Sequence, residues 1–352
     1  MSKFAAFLKK QDIVFSPKRY FVDALGAMAQ GLFASLLIGT ILKTLGEQCH
    51  FDLLITIGVF ATAIMGPAMA VAIGYALQAP PLVLFTLVPV GFATNALGGS
   101  GGPLAVLVTA IVAAEFGKAV SKETKVDILV TPIVTLLIGV GLAYFVARPI
   151  GTAAAWVGNL IMWATELRPF LMGILVSVVV GVALTLPISS AAICAGLGLV
   201  GLAGGAAVAG CCAQMVGFAV MSFKENRWGG IVSQGLGTSM LQMGNIVKNP
   251  RIWIPPTVAS AITGPIATCL FKLEMNGAAV NSGMGTCGLC GPIGVWTGWA
   301  ADVASSAKAA VTAMDWIGLI LIAVVLPAVL TPLIAWPLRK IGWIKDGDLK
   351  LD

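Results

Sequence analysis

Five polar or basic side chains lie within ten positions of one another, between long apolar runs: Gln242, Asn245, Lys248, Asn249 and Arg251. Each carboxamide offers N–H donors and an acceptor oxygen, which is the chemistry that binds the hydroxyl groups of a neutral polar solute. Trp253 follows at once and adds a flat apolar face. We therefore predict that the three carboxamides and Trp253 contact such a solute.

Lys248 and Arg251 admit two interpretations. Beside the positive end of the helix expected after Pro256, they would suit a carboxylate or phosphate group. Long basic side chains in membrane proteins also extend towards the aqueous interface, and we favour this second interpretation.

Four more polar residues are candidate solute contacts: Glu274, Asn276, Asn281 and Asn95. A carboxylate at the centre of a bilayer costs about 2.5–3.5 kcal/mol and usually faces a cavity or a partner. For Glu274, which closes an apolar segment, an anchoring position at the interface is an equally open alternative. The three asparagines would each cost about 1–3 kcal/mol if they were buried without a partner.

Asn95 and Asn281 each begin a glycine-rich segment that ends in proline. The segments are Asn95–Pro103 and Asn281–Pro292, and both lie between apolar runs. Interruptions at corresponding positions of two halves are typical of transporter binding sites. The alternative, that both are only tight turns, stays open. Neither segment fits the GxxxxGK[ST] phosphate-binding loop.

Prolines prevent a continuous helix through residues 235–265, because proline lacks a backbone N–H and clashes with the preceding turn. Pro250, Pro255 and Pro256 interrupt this stretch, and a helical pattern resumes from Thr257 to Phe271. Irregular backbone at membrane depth is tolerated only where it is buried in protein or lines a watery cavity. We predict that residues 235–265 form one wall of a solute site; the alternative is a polar loop between two spans.

The composition excludes a soluble domain. Of 352 residues, 58% are hydrophobic and 10% are charged, whereas soluble proteins average about 25% charged residues. Apolar runs of about 20 residues, long enough to cross a bilayer, recur along the chain. We predict an all-α polytopic membrane protein with about eight to ten transmembrane helices, some of them broken or re-entrant.

Basic residues gather at both ends of the chain, which favours cytoplasmic termini and an even number of crossings. The predicted organisation is an amphipathic cytoplasmic segment over 1–20, one transmembrane domain over 21–340 with breaks near 93–104, 224–256 and 275–294, and a cytoplasmic tail over 341–352.

No cofactor, metal or nucleic acid is expected as a partner. Cys287 and Cys290 form a CxxC motif, but no second motif or neighbouring histidine completes a metal site. His50, the one histidine, lies in a predicted loop. No Ser–His pair or carboxylate pair is clustered as an active site requires, so we do not expect an enzyme.

Four segments carry a family resemblance: Phe15–Leu25, Gly26–Ser35, Gly237–Gln242 and Asn249–Pro256. They resemble the membrane-embedded IIC components of bacterial phosphotransferase-system sugar transporters, and are most similar to the branch named for the perfringolysin O regulator. The resemblance extends over nearly the full chain. It implies an EIIC-like fold, alternating access within a homodimer in the bacterial plasma membrane, and separate cytoplasmic phosphotransferase components.

The chain departs from the family pattern at two places. Thr238 and Ser239 stand about where the family has a Glu-Pro pair whose carboxylate helps to hold the sugar. The histidine of the family's sugar pocket has no counterpart either. The resemblance therefore implies a fold and a solute cavity, while phosphorylation-coupled transport does not follow from it.

Two functions remain as hypotheses. The first is a transporter of a small polar solute, a sugar or sugar derivative, with or without coupled phosphorylation. The second is a membrane sensor that binds a small solute and signals to a cytoplasmic partner. Uptake of labelled sugars into proteoliposomes distinguishes them, because a sensor would bind its ligand without flux.

Overall fold

The computed structural model describes residues 3–351, which are mostly helical and contain no β-strand. This helical content and the apolar helices long enough to cross a bilayer confirm the prediction of an all-α polytopic membrane protein. The chain forms two compact units, which meet in sequence between Ala153 and Ala154.

Within the described residues, five helical stretches are long and apolar enough to cross a membrane: Arg19–Glu47, Pro81–Val120, Asp127–Thr165, Gly201–Met221 and Ala313–Lys340. The bent pair Asp52–Ala63 and Met65–Ala76, which turns by 53°, adds a sixth if it counts as one span. The sequence predicts a higher number, about eight to ten. Asp127–Thr165 is one continuous helix of 39 residues, and Pro169–Thr185, at 17 residues, is short for a full crossing.

The helices of the first unit are α1 (Lys3–Lys10), α2 (Ala24–Leu32), α3 (Ile38–Cys49), α4 (Asp52–Ala63), α5 (Met65–Ala76), α6 (Pro81–Gly98), α7 (Gly102–Val120) and α8 (Asp127–Thr165), whose last turns belong to the second unit. The π-helical turn Arg19–Asp23 leads into α2, and the π-helical turn Phe33–Leu37 joins α2 to α3.

Helices α6 and α7 fold back on each other at the first glycine-rich segment. Gly99 has φ 51° and ψ −124°, a conformation that a residue without a Cβ atom adopts readily. The hydroxyl of Thr109 donates to the hydroxyl of Thr94 at 3.1 Å. In a straight helix these two residues would lie about 22 Å apart. Residues 81–120 are therefore a helical hairpin around a glycine-rich break, although their helices follow almost without interruption in sequence.

A buried lysine ties the N-terminal segment to this hairpin. The ammonium group of Lys118, which is 1% exposed, donates to the carbonyl oxygens of Asp12 at 2.6 Å and Leu77 at 2.8 Å. The carboxylate of Glu115 lies 3.2 Å from the same ammonium group. Arg19 hydrogen bonds to the carboxylate of Asp12, and this bond holds the pKa of Asp12 below its usual value of 3.8.

The helices of the second unit are α9 (Pro169–Thr185), α10 (Ser190–Leu197), α11 (Gly201–Met221), α12 (Phe223–Gly230), α13 (Met243–Lys248), α14 (Ile254–Pro265), α15 (Cys290–Ala304), α16 (Ala313–Ile320) and α17 (Leu326–Lys340). Helix α11 is central, with nearly every residue buried, and α9, α14 and α17 pack around it.

Small residues bring these helices to backbone contact. A methyl group added to Gly210 of α11 would collide with the carbonyl oxygen of Ser177 in α9, and one added to Gly264 of α14 would collide with the carbonyl oxygen of Gly173. Such close approach is expected where lipid supplies no hydrophobic drive and packing must hold the helices together.

Candidate functional site

The proline-interrupted stretch has the broken conformation that the sequence predicts. A π-helical turn at Ile231–Gly237 leads into 3-10 turns at Ser239–Gln242 and Pro250–Trp253, with the short helix α13 between them. Helix α14 then begins at Ile254, close to the predicted restart. The interruption turns the polar side chains of this stretch towards one another.

Three carboxamides of this region form a buried chain of hydrogen bonds. Gln242 donates from Nε2 to Oε1 of Gln234 at 2.8 Å, and Asn245 donates from Nδ2 to Oε1 of Gln242 at 2.8 Å. Gln234 in turn donates to the hydroxyl of Ser222 at 2.8 Å. Gln234 and Gln242 are fully buried. These bonds fix which way the remaining N–H groups of the chain point.

Those remaining groups bind residues 343–351 of the same chain. We name residues 343–351 the C-terminal segment, and Asn226, Gln242, Asn245 and Asn249 the carboxamide groove. Gln242 donates to the carbonyl oxygen of Leu349 at 2.9 Å, and Asn245 donates to that of Lys350 at 2.8 Å. Asn249 donates to the carbonyl oxygen of Trp343 at 2.9 Å and to the carboxylate of Asp348 at 2.8 Å.

The segment is also tethered by charge at its exposed edge. Asp346 pairs with Lys224 at 2.6 Å and with Arg339 at 3.3 Å. The hydrogen bond from Lys224 lowers the pKa of Asp346 below 3.8. The side chains of Asp346 and Lys224 are 69% and 67% exposed, so salt screens this attraction.

Trp253 belongs to a second buried polar group, centred on Gln214 of α11. The indole N–H of Trp253 donates to Oε1 of Gln214 at 3.0 Å, and Nε2 of Gln214 donates to the hydroxyl of Thr257 at 3.3 Å. The hydroxyl of Thr185 in α9 lies 3.4 Å from the same Oε1 atom and 2.8 Å from the hydroxyl of Ser239. One glutamine side chain therefore links α9, α11, α14 and the turn at Pro250–Trp253.

Glu274 and Asn276 line a cavity of about 350 Å³ at another place in the second unit, which we name the acidic cavity. Its lining is completed by Phe271, Lys272, Trp299, Asp302, Ala307, Lys308 and Asp315. Asn276 donates to the carboxylates of Asp302 at 2.8 Å and Glu274 at 3.3 Å. One carboxamide thus holds two carboxylates whose other lone pairs remain available.

The remaining charges of the acidic cavity are largely paired. Lys308 binds the carboxylate of Asp315 at 2.7 Å and lies 5.2 Å from the ring centroid of Trp299. Asp315 also accepts two hydrogen bonds from Thr312 at the start of α16. The carboxylates Glu274, Asp302 and Asp315 outnumber the ammonium groups of Lys272 and Lys308 in the lining by one, so the cavity has an excess of negative charge.

The acidic cavity and the carboxamide groove lie at opposite ends of one helical stretch. Ala313–Lys340 begins beside the cavity at Asp315 and ends at Arg339, which pairs with the C-terminal segment. Its 28 residues correspond to about 42 Å of helix. The candidate residues of the second unit therefore do not share one pocket: Gln242, Asn245 and Asn249 belong to the groove, and Glu274 and Asn276 belong to the cavity.

Asn281 and Asn95 have other surroundings. Asn281 packs against Gly294 of α15. A methyl group added to Gly294 would lie 3.0 Å from Nδ2 of Asn281. Asn95 is in the first unit, near the end of α6, with its Oδ1 atom buried and without a hydrogen-bond partner in the described part of the chain. Its side chain faces Gly102 at the start of α7.

Several residues of these groups were not among the sequence candidates: Gln214, Asn226, Gln234, Trp299 and Asp302. Gln214 had a recognisable signal, because it is the one carboxamide within the small-residue run Gly201–Met221, and buried polar groups in membrane helices are often functional. Asp302 and Trp299 gave no such signal, since α15 was not predicted as a helix.

The described residues contain no group of three or more His, Cys, Asp or Glu side chains placed to hold a metal ion. Cys287 and Cys290 of the CxxC motif are both buried. Cysteine is among the residue types most often buried, so this burial is ordinary.

The whole chain was compared with known proteins. The family model described as phosphotransferase system, EIIC matches residues 22–351. No curated protein and no solved structure matches. The match spans the helices from α2 to α17, including the acidic cavity and the carboxamide groove. The chain therefore belongs to the EIIC family of the phosphotransferase system, and is a multi-pass membrane component of sugar transport.

Proposed function

We propose that this protein moves a single-ring sugar or sugar derivative across the membrane, and that the acidic cavity is where the solute binds. The observation that carries the proposal is the combination, in one cavity, of Glu274, Asn276, Asp302 and the indole of Trp299. Carboxylate oxygens accept hydrogen bonds from sugar hydroxyls, the carboxamide both donates and accepts, and the indole adds a small apolar part to the wall.

The size and charge of the cavity narrow the solute class. A volume of about 350 Å³ lies near the lower end of the roughly 300–1,000 Å³ of ligand pockets, which suits one sugar ring better than an oligosaccharide. The excess of negative charge favours neutral or amino sugars and disfavours sugar phosphates. Trp299 is 3% exposed, so its indole offers the solute only a small contact.

We further propose that transport proceeds by alternating access within a homodimer in the bacterial plasma membrane, with both termini in the cytoplasm. The basic residues at the chain ends support this orientation. It places the acidic cavity towards the outside, because the C-terminal segment lies at the other end of Ala313–Lys340. Thr238 and Ser239, in place of the Glu-Pro pair, support transport without coupled phosphorylation, and separate phosphotransferase components remain possible partners.

The test is uptake by the full chain in proteoliposomes, with labelled neutral hexoses, amino sugars and sugar phosphates. Asn276→Ala removes the group that positions both carboxylates. Loss of a hydrogen bond to a charged group costs about 1.5–3 kcal/mol, so solute affinity should fall by about tenfold or more. Ser305→Ala is the control, since the hydroxyl of Ser305 is exposed and, within the described residues, donates to the main-chain oxygen of Asp302. Equal affinity in Asn276→Ala and the unmodified protein would refute the assignment of the cavity.

A sensor is the second candidate function. The observation that favours it is the C-terminal segment docked on the carboxamide groove, because such a segment can carry a signal to a cytoplasmic partner. Saturable solute binding in detergent, combined with no uptake into proteoliposomes, would support the sensor over the transporter.

A further inference from the structure

One carboxamide of the first unit is exposed at membrane depth without a partner. Gln30 lies in the stretch Arg19–Glu47, which is long and apolar enough to cross a membrane. No charged residue stands between Asp23 and Lys43, and Gln30 is about 4.5 Å of helix from the middle of that interval. Its side chain is exposed and makes no hydrogen bond within the residues that the structure describes.

The hydroxyl groups of the same stretch find acceptors within their own helix. Ser35 donates to the carbonyl oxygen of Gly31 at 2.8 Å, and Thr40 donates to that of Leu36 at 2.7 Å. The carboxamide of Gln30 instead presents free N–H donors and a free acceptor oxygen. Lipid chains have no group that could pair with them, and unpaired polar groups are costly in hydrocarbon. Gln30 therefore requires a polar partner outside its own fold.

Gln30 lines an apolar groove of about 680 Å³ between α2, α5 and α6, which we name the apolar groove. Small residues form much of its lining: Ala27, Gly31, Ala34, Ala68 and Ala72. A methyl group added to Gly31 would collide with the carbonyl oxygen of Ala68, so α2 and α5 already touch at backbone level here. A lining of small residues admits a further helix to the same close approach.

Two interruptions of regular helix border the apolar groove. Ala34 belongs to the π-helical turn Phe33–Leu37, and Ile64 stands at the 53° bend between α4 and α5. Both residues line the groove. Single π-helical turns within α-helices occur frequently at functional sites, which supports a role for this face of the first unit.

We propose that the apolar groove is the surface through which two copies of the chain pair, with Gln30 of one protomer hydrogen bonded to Gln30 of the partner subunit. A carboxamide is self-complementary, because each copy can donate an N–H to the oxygen of the other. A twofold axis brings the same patch of both subunits together and so permits this reciprocal pair. The inference rests on the homodimer proposed above and names its interface; it does not depend on the acidic cavity.

Disulfide cross-linking tests whether Gln30 lies at the twofold axis. The starting protein is the full chain with its two exposed thiols removed by Cys49→Ser and Cys269→Ser, since the remaining cysteines are buried. Adding Gln30→Cys should give a covalent dimer when the protein is oxidised with copper phenanthroline in phosphatidylcholine vesicles. Leu137→Cys is the matched control, because Leu137 is exposed in the span Asp127–Thr165 and outside the groove; it should remain monomeric on a denaturing gel.

The strength of pairing tests the carboxamide itself. Energy transfer between donor-labelled and acceptor-labelled chains in the same vesicles gives the dimer dissociation constant as the protein is diluted into lipid. Gln30→Leu removes two reciprocal hydrogen bonds between helices, so this constant should rise by at least about fivefold. Ala34→Phe fills the groove from an exposed position and should raise it at least as much. Leu137→Phe, outside the groove, should leave it unchanged.

The outcomes separate this interface from the proposed function. Cross-linking at both cysteine positions or at neither, or an unchanged dissociation constant in Gln30→Leu, would overturn the interface and leave the apolar groove to lipid chains. An unmodified chain that stays monomeric would overturn the homodimer as well. Asn276→Ala should pair like the unmodified protein, so a failure of the acidic cavity as the solute site would not alter these results.

Discussion

The hydrogen bond between Gln214 and Trp253 gives the sharpest test of the second unit. In Gln214→Leu a side chain of similar size replaces the carboxamide, and four polar groups lose a neighbour. Three of them keep another partner: Thr257 still donates to the carbonyl oxygen of Trp253 at 2.8 Å, Ser260 to that of Pro256 at 2.9 Å, and Thr185 still lies 2.8 Å from Ser239. Only the indole N–H of Trp253 loses the partner recorded for it.

The expected loss of stability follows from this single donor without a partner. Hydrogen bonds between membrane helices average about 0.6 kcal/mol and reach about 1.7 kcal/mol in double-mutant cycles, while an orphaned buried donor costs about 1–3 kcal/mol. Gln214→Leu should therefore lower the free energy of unfolding by about 1–3 kcal/mol. Trp253→Phe removes the donor, and in the Gln214→Leu background it should cost about 0.6–1.7 kcal/mol less than in the unmodified protein.

The assay is reversible unfolding in mixed micelles, followed by helical circular dichroism, for the two single variants and the double variant. Thr257→Val is a comparison variant, because it removes the hydroxyl that accepts from Nε2 of Gln214 and leaves the bond between the indole N–H of Trp253 and Oε1 of Gln214 in place. If the effects of Gln214→Leu and Trp253→Phe add within about 0.3–0.5 kcal/mol, as independent sites do, the two side chains are not coupled and the reasoning is refuted.

Three further perturbations test other parts of the fold. Lys118→Met should destabilise the protein by about 3–5 kcal/mol in thermal unfolding, because it leaves the carboxylate of Glu115 buried without its cation. Adding Glu115→Gln should restore part of the lost stability, and no restoration would contradict the ion pair. Gly210→Ala should lower the yield of folded protein, because the added methyl group collides with the carbonyl of Ser177. Gly141→Ala is the control: nothing lies within 4 Å of its added methyl group, so it should be neutral or stabilise the protein by about 0.5–1 kcal/mol. Similar behaviour of the two variants would refute the close contact. Because the pKa of Asp12 is lowered in the folded protein, its pairing with Arg19 stabilises the fold at pH values above the unfolded pKa near 3.8. This stabilisation is lost as the pH falls through the folded pKa. The difference in melting temperature between Asp12→Asn and the unmodified protein should therefore shrink in acid, and a difference that grows in acid would contradict this sign.

The sequence predicted the membrane class and the breaks because both rest on strong local rules. Long apolar runs have one physical explanation in a chain with so few charges, and Pro250, Pro255 and Pro256 cannot continue a helix. For the glycine-rich break near Gly99 the sequence left open an interruption of the transporter type or a tight turn. The Thr94–Thr109 contact identifies the break as the corner of a hairpin. The number of crossings was less accessible, because a run of apolar residues does not reveal where a helix bends or joins the next.

The partners of the polar residues depended on contacts distant in sequence. Nothing near Gln242 or Asn249 indicates that residues about 100 positions later supply their acceptors. Asp302, which shares Asn276 with Glu274, lies 26 positions from it, in a helix whose glycines and alanines gave no clear helical period. Local patterns identified the right residue types, while the fold decided which of them meet one another.

The backbone contacts of Gly210 and Gly264 constrain how the second unit can move. Where α9, α11 and α14 touch through carbonyl oxygens, no side chain can change rotamer to absorb a slide or a rotation of one helix against another. Any displacement that accompanies solute passage must therefore leave this trio intact and be taken up at the π-helical and 3-10 turns around it. Gly210 and Gly264 therefore make the packed helices α9, α11 and α14 the stiffest part of the second unit.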